Sequence, residues 1–386
     1  MKNKKNIAII GAGASGLIAS IFAKKNGHNV TIFEKNNKIG KKILATGNGR
    51  CNITNSNLKL ENFHSKNIEF VKQILDTFTL DDTLEFFKSI GLLTIQGEKS
   101  NRLYPMSLQS SSVVDLLEAK IKELGIQIKL SSHITKLEYD DIFTLTINNQ
   151  LEYDYDNVIV ATGLLAQPKL GACEDGLTFA RKFKHNIIPT SPTLVQLISD
   201  SKYLQQLSGV KFIGSAKLII NQQKITQSTG DILFTKYGLS GSTILEISRN
   251  VDIELKNKSS IEVHIDLLPQ FTEDKIKDIL NSGIKLNGIL NQKLIPYILE
   301  LAKNNFSQIP NIIKNLKFNI TDTKGYDFCE VTAGGVDLNS IDSNSMQSNK
   351  QRGLYFCGEV LDVDGDCGGF NLQWAWSSGY LAGNSI

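Results

Sequence analysis

A chain of 386 residues is long for one hydrophobic core, which points to two or three domains or to one large domain carrying an insertion. Hydrophobic residues at 41% and charged residues at 21% exclude a disordered chain, and 42 Lys and Arg against 39 Asp and Glu leave +3, too little for a protein held on nucleic acid by bulk charge. Five scattered cysteines, Cys51, Cys173, Cys329, Cys357 and Cys367, argue against a disulfide framework and for a reduced, cytoplasmic protein; no Cys-x-x-C pair or His pair at i, i+4 supports a metal site.

Met1 to Lys5 and the apolar run after them imitate a secretory leader, but Gly11, Gly13 and Gly16 break the run and charged sequence follows. No apolar stretch approaches the roughly 20 residues that span a bilayer, so no membrane partner is expected. Ile7 to Ile10 reads as a strand, Gly11-Ala12-Gly13-Ala14-Ser15-Gly16 as a turn, Leu17 to Lys25 as a helix, and Val30 to Phe33 as a second strand ending at Glu34-Lys35. Each part has a job in dinucleotide binding. The first glycine permits the turn, the second lets a pyrophosphate approach the backbone, and the third lets helix and strand pack, while the helix N-terminus offers N–H groups and positive dipole. Gly11, Gly13, Ala14, Ser15 and Gly16 are therefore candidate cofactor contacts, with Glu34 about 20 residues on as the ribose acid. An acid at that strand end suits FAD or NAD and disfavours the 2′-phosphate of NADP.

Val113 to Leu124 reads as an amphipathic helix with a serine cap before it and Gly125 after it. Ile126 to Leu130, Phe143 to Ile147 and Val158 to Ala161 read as strands, the last running into Ala161-Thr162-Gly163, a small-residue turn suited to close approach of a ligand. These three residues and Ile134 join the expected cofactor contacts. Beyond about Pro189 the character changes to strand-like segments punctuated by Gly and Asn, such as Lys217 to Ile220, Ile232 to Thr235 and Ile261 to Leu267. Thr272 then caps a helix over Glu273 to Leu280, and helical patterns follow at Leu294 to Leu301 and Ile312 to Leu316. The expected fold class is α/β: a Rossmann-like dinucleotide-binding domain, for FAD or NAD, from 1–189 and 326–386, interrupted by a substrate domain over 190–325, mostly β in 190–268 and helical in 269–316.

Rossmann-like sequence resumes at Gly353-Leu354-Tyr355-Phe356-Cys357-Gly358-Glu359. Many flavoproteins bring such a distant strand back to the flavin, whereas an NAD dehydrogenase usually completes its site in one contiguous domain. Gly358, Glu359, Asp364, Gly369, Asn371 and Leu372 precede or open an expected helix from Trp374 to Leu381, whose start can present N–H groups to the flavin pyrimidine oxygens.

The segment Gly40-Lys41-Lys42-Ile43-Leu44-Ala45-Thr46-Gly47-Asn48-Gly49-Arg50-Cys51-Asn52-Ile53-Thr54-Asn55, taken with Gly358 to Gly365 and Gly368 to Gln373, resembles the BaiN/RdsA family of bacterial FAD flavoproteins over essentially the whole chain. Arg102-Leu103-Tyr104-Pro105 and Phe234-Thr235-Lys236-Tyr237-Gly238-Leu239-Ser240-Gly241 resemble two further motifs of that family, with Lys236 where His is usual and Ser242 where Pro is usual. The resemblance implies a Rossmann-like FAD domain, a β-barrel-like insertion and a small helical part. It also implies activities that differ among members: reduction of uridine to dihydrouridine in large-subunit ribosomal RNA, aminoacetone oxidation, and steroid ring reduction.

The residues narrow this field. Cys51 stands alone where a disulfide reductase needs two thiols, and no second glycine fingerprint is present, so NAD(P)H is expected to visit only transiently as electron donor. Cys51 is either the acid that protonates the carbon beside a hydride acceptor or a small residue packed in a cofactor loop. The surrounding glycines, Gly47 among them, with Thr46, Asn48 and Arg50 suffice for phosphate or flavin contact, which favours packing for Cys51, and Lys41 and Lys42 join the expected cofactor contacts; Arg50 is expected on pyrophosphate or substrate phosphate, with a salt bridge as the alternative. Arg102 and Tyr104 are expected to line the substrate cavity, and Lys236 to meet a phosphate or carbonyl or to be simply solvated. Residues 190–325 hold 16 Lys and Arg against 12 Asp and Glu, a modest excess compatible with RNA contact. The expected function is FAD-dependent reduction of a C=C, with uridine in ribosomal RNA or a ribosome precursor as substrate. The rivals are a small-amine oxidase and an FAD-stabilised binding protein without chemistry of its own.

Overall fold

The computed structural model describes residues 4–98, 100–303 and 305–386, so the first three residues of the basic Met1 to Lys5 segment lie outside the described residues. The chain divides into two compact units, Met1–Thr190 with Val331–Ile386, and Ser191–Glu330. It leaves the first unit along strand Ile187–Thr193 and returns along Val331–Val336, and these two strands pair.

The first unit is built on a five-stranded sheet in the order Leu354–Phe356, Asn157–Val160, Asn6–Ile10, Asn29–Phe33, Gln127–Lys129, every neighbouring pair parallel. Its central strands are unbroken apolar runs because both faces are covered: Ile7, Ala8, Ile9, Val158, Ile159 and Val160 are all fully buried. Helix Ala14–Lys25 packs against the late helix Phe370–Asn384. Small residues allow this closeness, since a Cβ at Gly379 would lie 2.5 Å from the Ser15 carbonyl oxygen and one at Gly383 2.2 Å from that of Ala19. An antiparallel meander, Ile134–Asp140, Ile142–Ile147 and Leu151–Tyr155, extends the unit.

Six strands of the second unit form a closed barrel, Leu197–Ser199, Gly238–Ser240, Gln223–Phe234, Lys211–Ile220, Ile261–Asp266 and Leu316–Thr323. Its interior is a separate core in which Phe234 and Phe318 lie 5.4 Å apart. Helices Glu273–Asn281, Leu294–Ala302 and Ile309–Lys314 follow, the first capped by Thr272, whose hydroxyl accepts the Lys275 N–H at 3.2 Å.

Several expected boundaries are corrected. The helix expected over Val113 to Leu124 is Ser110–Glu123, with Gln109 rather than a serine at its N-cap and no side-chain cap. The expected helical segment Ile312 to Leu316 is the end of Ile309–Lys314, and Leu316 begins a barrel strand whose alternation places it and Phe318 inward. The final helix starts at Phe370, ahead of Trp374, because the Gly368-Gly369 turn already ends the loop.

Candidate active site

At the nucleotide end, Gly11 has φ +109° and a Cβ there would lie 2.5 Å from the Ala161 carbonyl oxygen, so this position takes only glycine. Two residues on, a Cβ at Gly13 would meet no atom within 4 Å. Gly13 is the N-cap of the first helix and leaves open space over the helix N-terminus, where a pyrophosphate needs to approach. The third glycine is a packing residue, its virtual Cβ 2.0 Å from the Gly11 oxygen. Glu34 is buried at the strand end, one carboxylate oxygen accepting the Ala12 N–H at 2.8 Å and the other accepting from Asn36 N–H at 2.8 Å and Asn36 Nδ2 at 2.7 Å. A carboxylate has about four acceptor sites, so one remains for a ribose hydroxyl. Lys41 donates to Asn36 Oδ1 at 3.1 Å, while Lys35 lies beside Cys173.

Motifs some 300 residues apart converge at the other end. The Thr54 hydroxyl donates to Gln373 Oε1 at 2.6 Å, Asn55 Nδ2 to the Gly368 oxygen at 2.9 Å, and Trp376 Nε1 to the Ile53 oxygen at 3.0 Å. Gln373 is fully buried and also donates to Thr83 Oγ1 at 2.8 Å and Ser377 Oγ at 3.0 Å. Lys42 pairs with Glu359 at 2.6 Å, and the second oxygen of Glu359 accepts the Thr332 N–H at 3.0 Å. Asn371 staples its own loop, accepting from Gly365 N–H and donating to the Gly365 oxygen, both at 2.8 Å. Leu372 packs on the core, Ile134 is buried at the start of a strand, and Asp364 is buried in a two-residue strand paired with Phe63–His64. A Cβ at Gly358 would lie 2.4 Å from Ser15 Oγ and one at Gly369 2.7 Å from the Thr54 backbone, so both glycines serve close packing. Gly163 turns with φ +65°, and the Thr162 hydroxyl donates to its oxygen at 3.1 Å.

In the Thr46–Gly49 turn, Gly47 and Asn48 both take left-handed dihedrals. Thr46 Oγ1 donates to the Ile43 oxygen at 2.7 Å. Arg50 is exposed and stands 5.1 Å above the Tyr104 ring, which brings two of the expected site residues together. Arg102 Nη2 reaches the Cys367 oxygen and sulfur at 3.5 Å each. Cys51 is fully buried, and burial pushes its thiol up to about 12, a hydrogen bond with Thr46 opposing this in part. It is a packed residue of the loop. Lys236 belongs to the second unit, exposed at a hairpin tip. The run Val331–Val336, buried throughout and containing Gly334 and Gly335 at positive φ, is a part of this region that sequence reasoning passed over; paired glycines in an apolar run were the available signal. Among the described residues, no group of three or more His, Cys, Asp or Glu could hold a metal ion, and no helix is long and apolar enough to cross a membrane.

A model described as the HI0933-like protein Rossmann domain matches residues 5–385. The chain belongs to this family. As a member of the HI0933-like family, the group to which the motifs above point, it is an oxidoreductase that uses FAD, and the open Gly13 turn with Glu34 beyond it fits that dinucleotide. It is 35% identical to a 3-dehydro-bile acid delta(4,6)-reductase from Clostridium scindens, covering 98% of both chains. It is 35% identical to a ribosomal RNA dihydrouridine synthase from Haemophilus influenzae and 32% to one from Escherichia coli, each over 98% of this chain and 97% of the relative. Among solved structures, a 3-ketosteroid delta1-dehydrogenase from Sterolibacterium denitrificans in complex with 1,4-androstadiene-3,17-dione aligns over 99% of both chains with a TM-score of 0.53 at 11% identity. A flavocytochrome c3 fumarate reductase aligns over 100% of this chain and 78% of that one, with a TM-score of 0.52 at 14% identity; both likenesses concern the fold alone.

Proposed function

We propose that the protein reduces a carbon–carbon double bond, that the substrate is a uridine of large-subunit ribosomal RNA, and that NAD(P)H is the external electron source. The observation that carries this is full-length similarity to two ribosomal RNA dihydrouridine synthases. When bound, FAD supplies the hydride chemistry. The residues of this chain do the rest. The open turn at Gly13 and the carboxylate of Glu34 hold the dinucleotide. The start of helix Phe370–Asn384 would offer positive dipole to the bound flavin. Arg50, which lies over Tyr104, and Arg102, which lies beside Cys367, are the guanidinium groups we assign to an anionic substrate such as an RNA strand. Cys51, buried with its thiol at about 12, serves the loop's packing, and the substrate proton comes from another group or from water.

A second reading, reduction of a steroid ring double bond, is favoured by the 35% identity to the bile-acid reductase. One experiment separates them: anaerobic holoenzyme is reduced with NADPH or NADH and then offered precursor ribosomal RNA, immature ribosomal particles, or a steroid 4-en-3-one. Dihydrouridine detected by mass spectrometry in the RNA, and missing from a strain lacking the gene, is the expected result. Uridine left intact on both RNA forms, with the steroid reoxidising the flavin, establishes the second reading. Flavin untouched by nicotinamide but bleached by aminoacetone, with peroxide formed, overturns both in favour of an oxidase.

A further inference from the structure

The inserted unit carries an aromatic and cationic cluster. Lys324 places its ammonium 4.8 Å from the centroid of the Tyr237 ring and 4.5 Å from that of Phe328. Phe328 is 48% exposed, so part of its ring remains open to solvent. The arrangement is held from three sides. Gln196 ties two members, its backbone oxygen accepting the Lys324 N–H at 3.0 Å and its Oε1 accepting the Tyr237 hydroxyl at 2.7 Å. The hairpin tip bearing Lys236 and Tyr237 is locked by Thr235 N–H donating to the Gly238 oxygen at 2.9 Å and Gly238 N–H donating to Thr235 Oγ1 at 3.1 Å. Phe328 sits on a turn in which its own N–H and that of Cys329 both donate to the Gly325 oxygen at 3.2 Å.

We infer that Tyr237, Lys324 and Phe328 form a stacking platform for an unpaired base of an RNA strand, with Lys236 and Lys324 meeting the adjoining phosphates; this rests on the RNA reading above. A half-open ring on a rigid turn suits base stacking, which tolerates any base because each has a π-face, and an ammonium between rings supplies both cation–π contact and phosphate attraction. Asp327 is exposed beside Phe328 and Glu330 lies two residues further on, so bulk positive charge is not what recommends this surface; stacking is. A duplex keeps its bases stacked on one another, which makes an unpaired strand the fitting partner.

The test uses full-length holoenzyme and a fluorescent single-stranded 12-nucleotide RNA, with the same sequence as a duplex for comparison. Phe328→Ala is expected to weaken single-strand binding about tenfold with duplex binding unchanged, and Phe328→Tyr to retain it. Lys324→Gln is expected to lower the slope of log affinity against log salt by about one, and Lys324→Arg to restore it. Flavin absorbance and thermal midpoint confirm that each variant is folded. Equal single-strand binding by Phe328→Ala and wild type, while the gene still supports dihydrouridine formation in ribosomal RNA, overturns the platform alone. Wild-type protein that binds neither RNA, with dihydrouridine unaffected by loss of the gene, overturns the platform together with the RNA reading.

Discussion

Gly11 and Gly13 stand in one turn and meet opposite surroundings, so substituting them separates folding from cofactor binding. Gly13 has φ −83° and empty space around its virtual Cβ. Gly13→Ala is expected to leave apoprotein stability unchanged or a few tenths of a kcal/mol higher, and to weaken FAD at least about tenfold because the added methyl occupies the pyrophosphate approach. Gly11→Ala is expected to cost about 2 kcal/mol or more, since it adds positive-φ strain to a backbone clash. Urea denaturation of the apoproteins and flavin fluorescence titration read the two effects apart. Two buried thiols give a second prediction. Burial raises Cys51 and Cys357 from 9.0 to about 12, so both remain protonated in the fold while the unfolded chain loses those protons above pH 9. Their contribution is intact below pH 9 and is lost as pH climbs toward 12. The urea midpoint should therefore fall over that window, less steeply in Cys51→Ala, and neither thiol should be alkylated in native protein at pH 8. His185 acts on the acid side: burial, with Lys350 nearby, lowers it from 6.5 to about 4, while its two ring nitrogens meet Ser340 Oγ at 2.7 Å and Ser348 Oγ at 2.8 Å. The unfolded chain takes up this proton first, so stability should drop as pH falls from 6.5 toward 4, and His185→Gln should flatten that drop.

Elements differ in how plainly the sequence announces them. The first strand, turn and helix were legible because glycine spacing, apolar runs and the acid at the strand end all follow from one ligand's shape. The pairing of Arg50 with Tyr104 was legible only as two separate candidates, since nothing local says that Arg102–Pro105 runs beside the Thr54–Asn55 strand. Strands Ile134–Asp140 and Leu151–Tyr155 escaped notice because their exposed positions mix polar residues with apolar ones such as Tyr139, Leu151 and Tyr153, which blurs the alternation. Gly358, Gly369 and Asn371 were expected to touch cofactor; their protein contacts are with Ser15, Thr54 and Gly365, and the first two, which join distant parts of the sequence, could be revealed only by a folded chain. The contact between the first and last helices makes a sharp prediction at this scale. Gly379→Val forces a side chain into the Ser15 backbone, and is expected to lower the apoprotein thermal midpoint by several degrees or more and to cost flavin retention, whereas Ser385→Ala, at the C-cap of the same helix, removes only a hydroxyl bonded to the Leu381 and Asn344 oxygens and should do far less of either.

At the level of the molecule, the insertion was foreshadowed by the change of character after Pro189 and the return to Rossmann-like sequence at Gly353, while the paired strands Ile187–Thr193 and Val331–Val336 mark where the chain departs and comes back. Ser191–Glu330 is contiguous and closes its own barrel around its own core. Expressed alone, this segment is expected to unfold in one cooperative thermal transition, and Met1–Thr190 alone is expected to do so poorly, as circular dichroism would register. The partnership of Ala14–Lys25 with Phe370–Asn384 carries a consequence for biosynthesis. The nucleotide turn leaves the ribosome early, but the helix that buttresses it, and the edge strand Leu354–Phe356 beside it, are translated more than three hundred residues later. The barrel can mature during that interval while the parallel sheet waits, incomplete. Flavin loading thus becomes a late event reserved for nearly finished chains, and prematurely terminated products should emerge colourless.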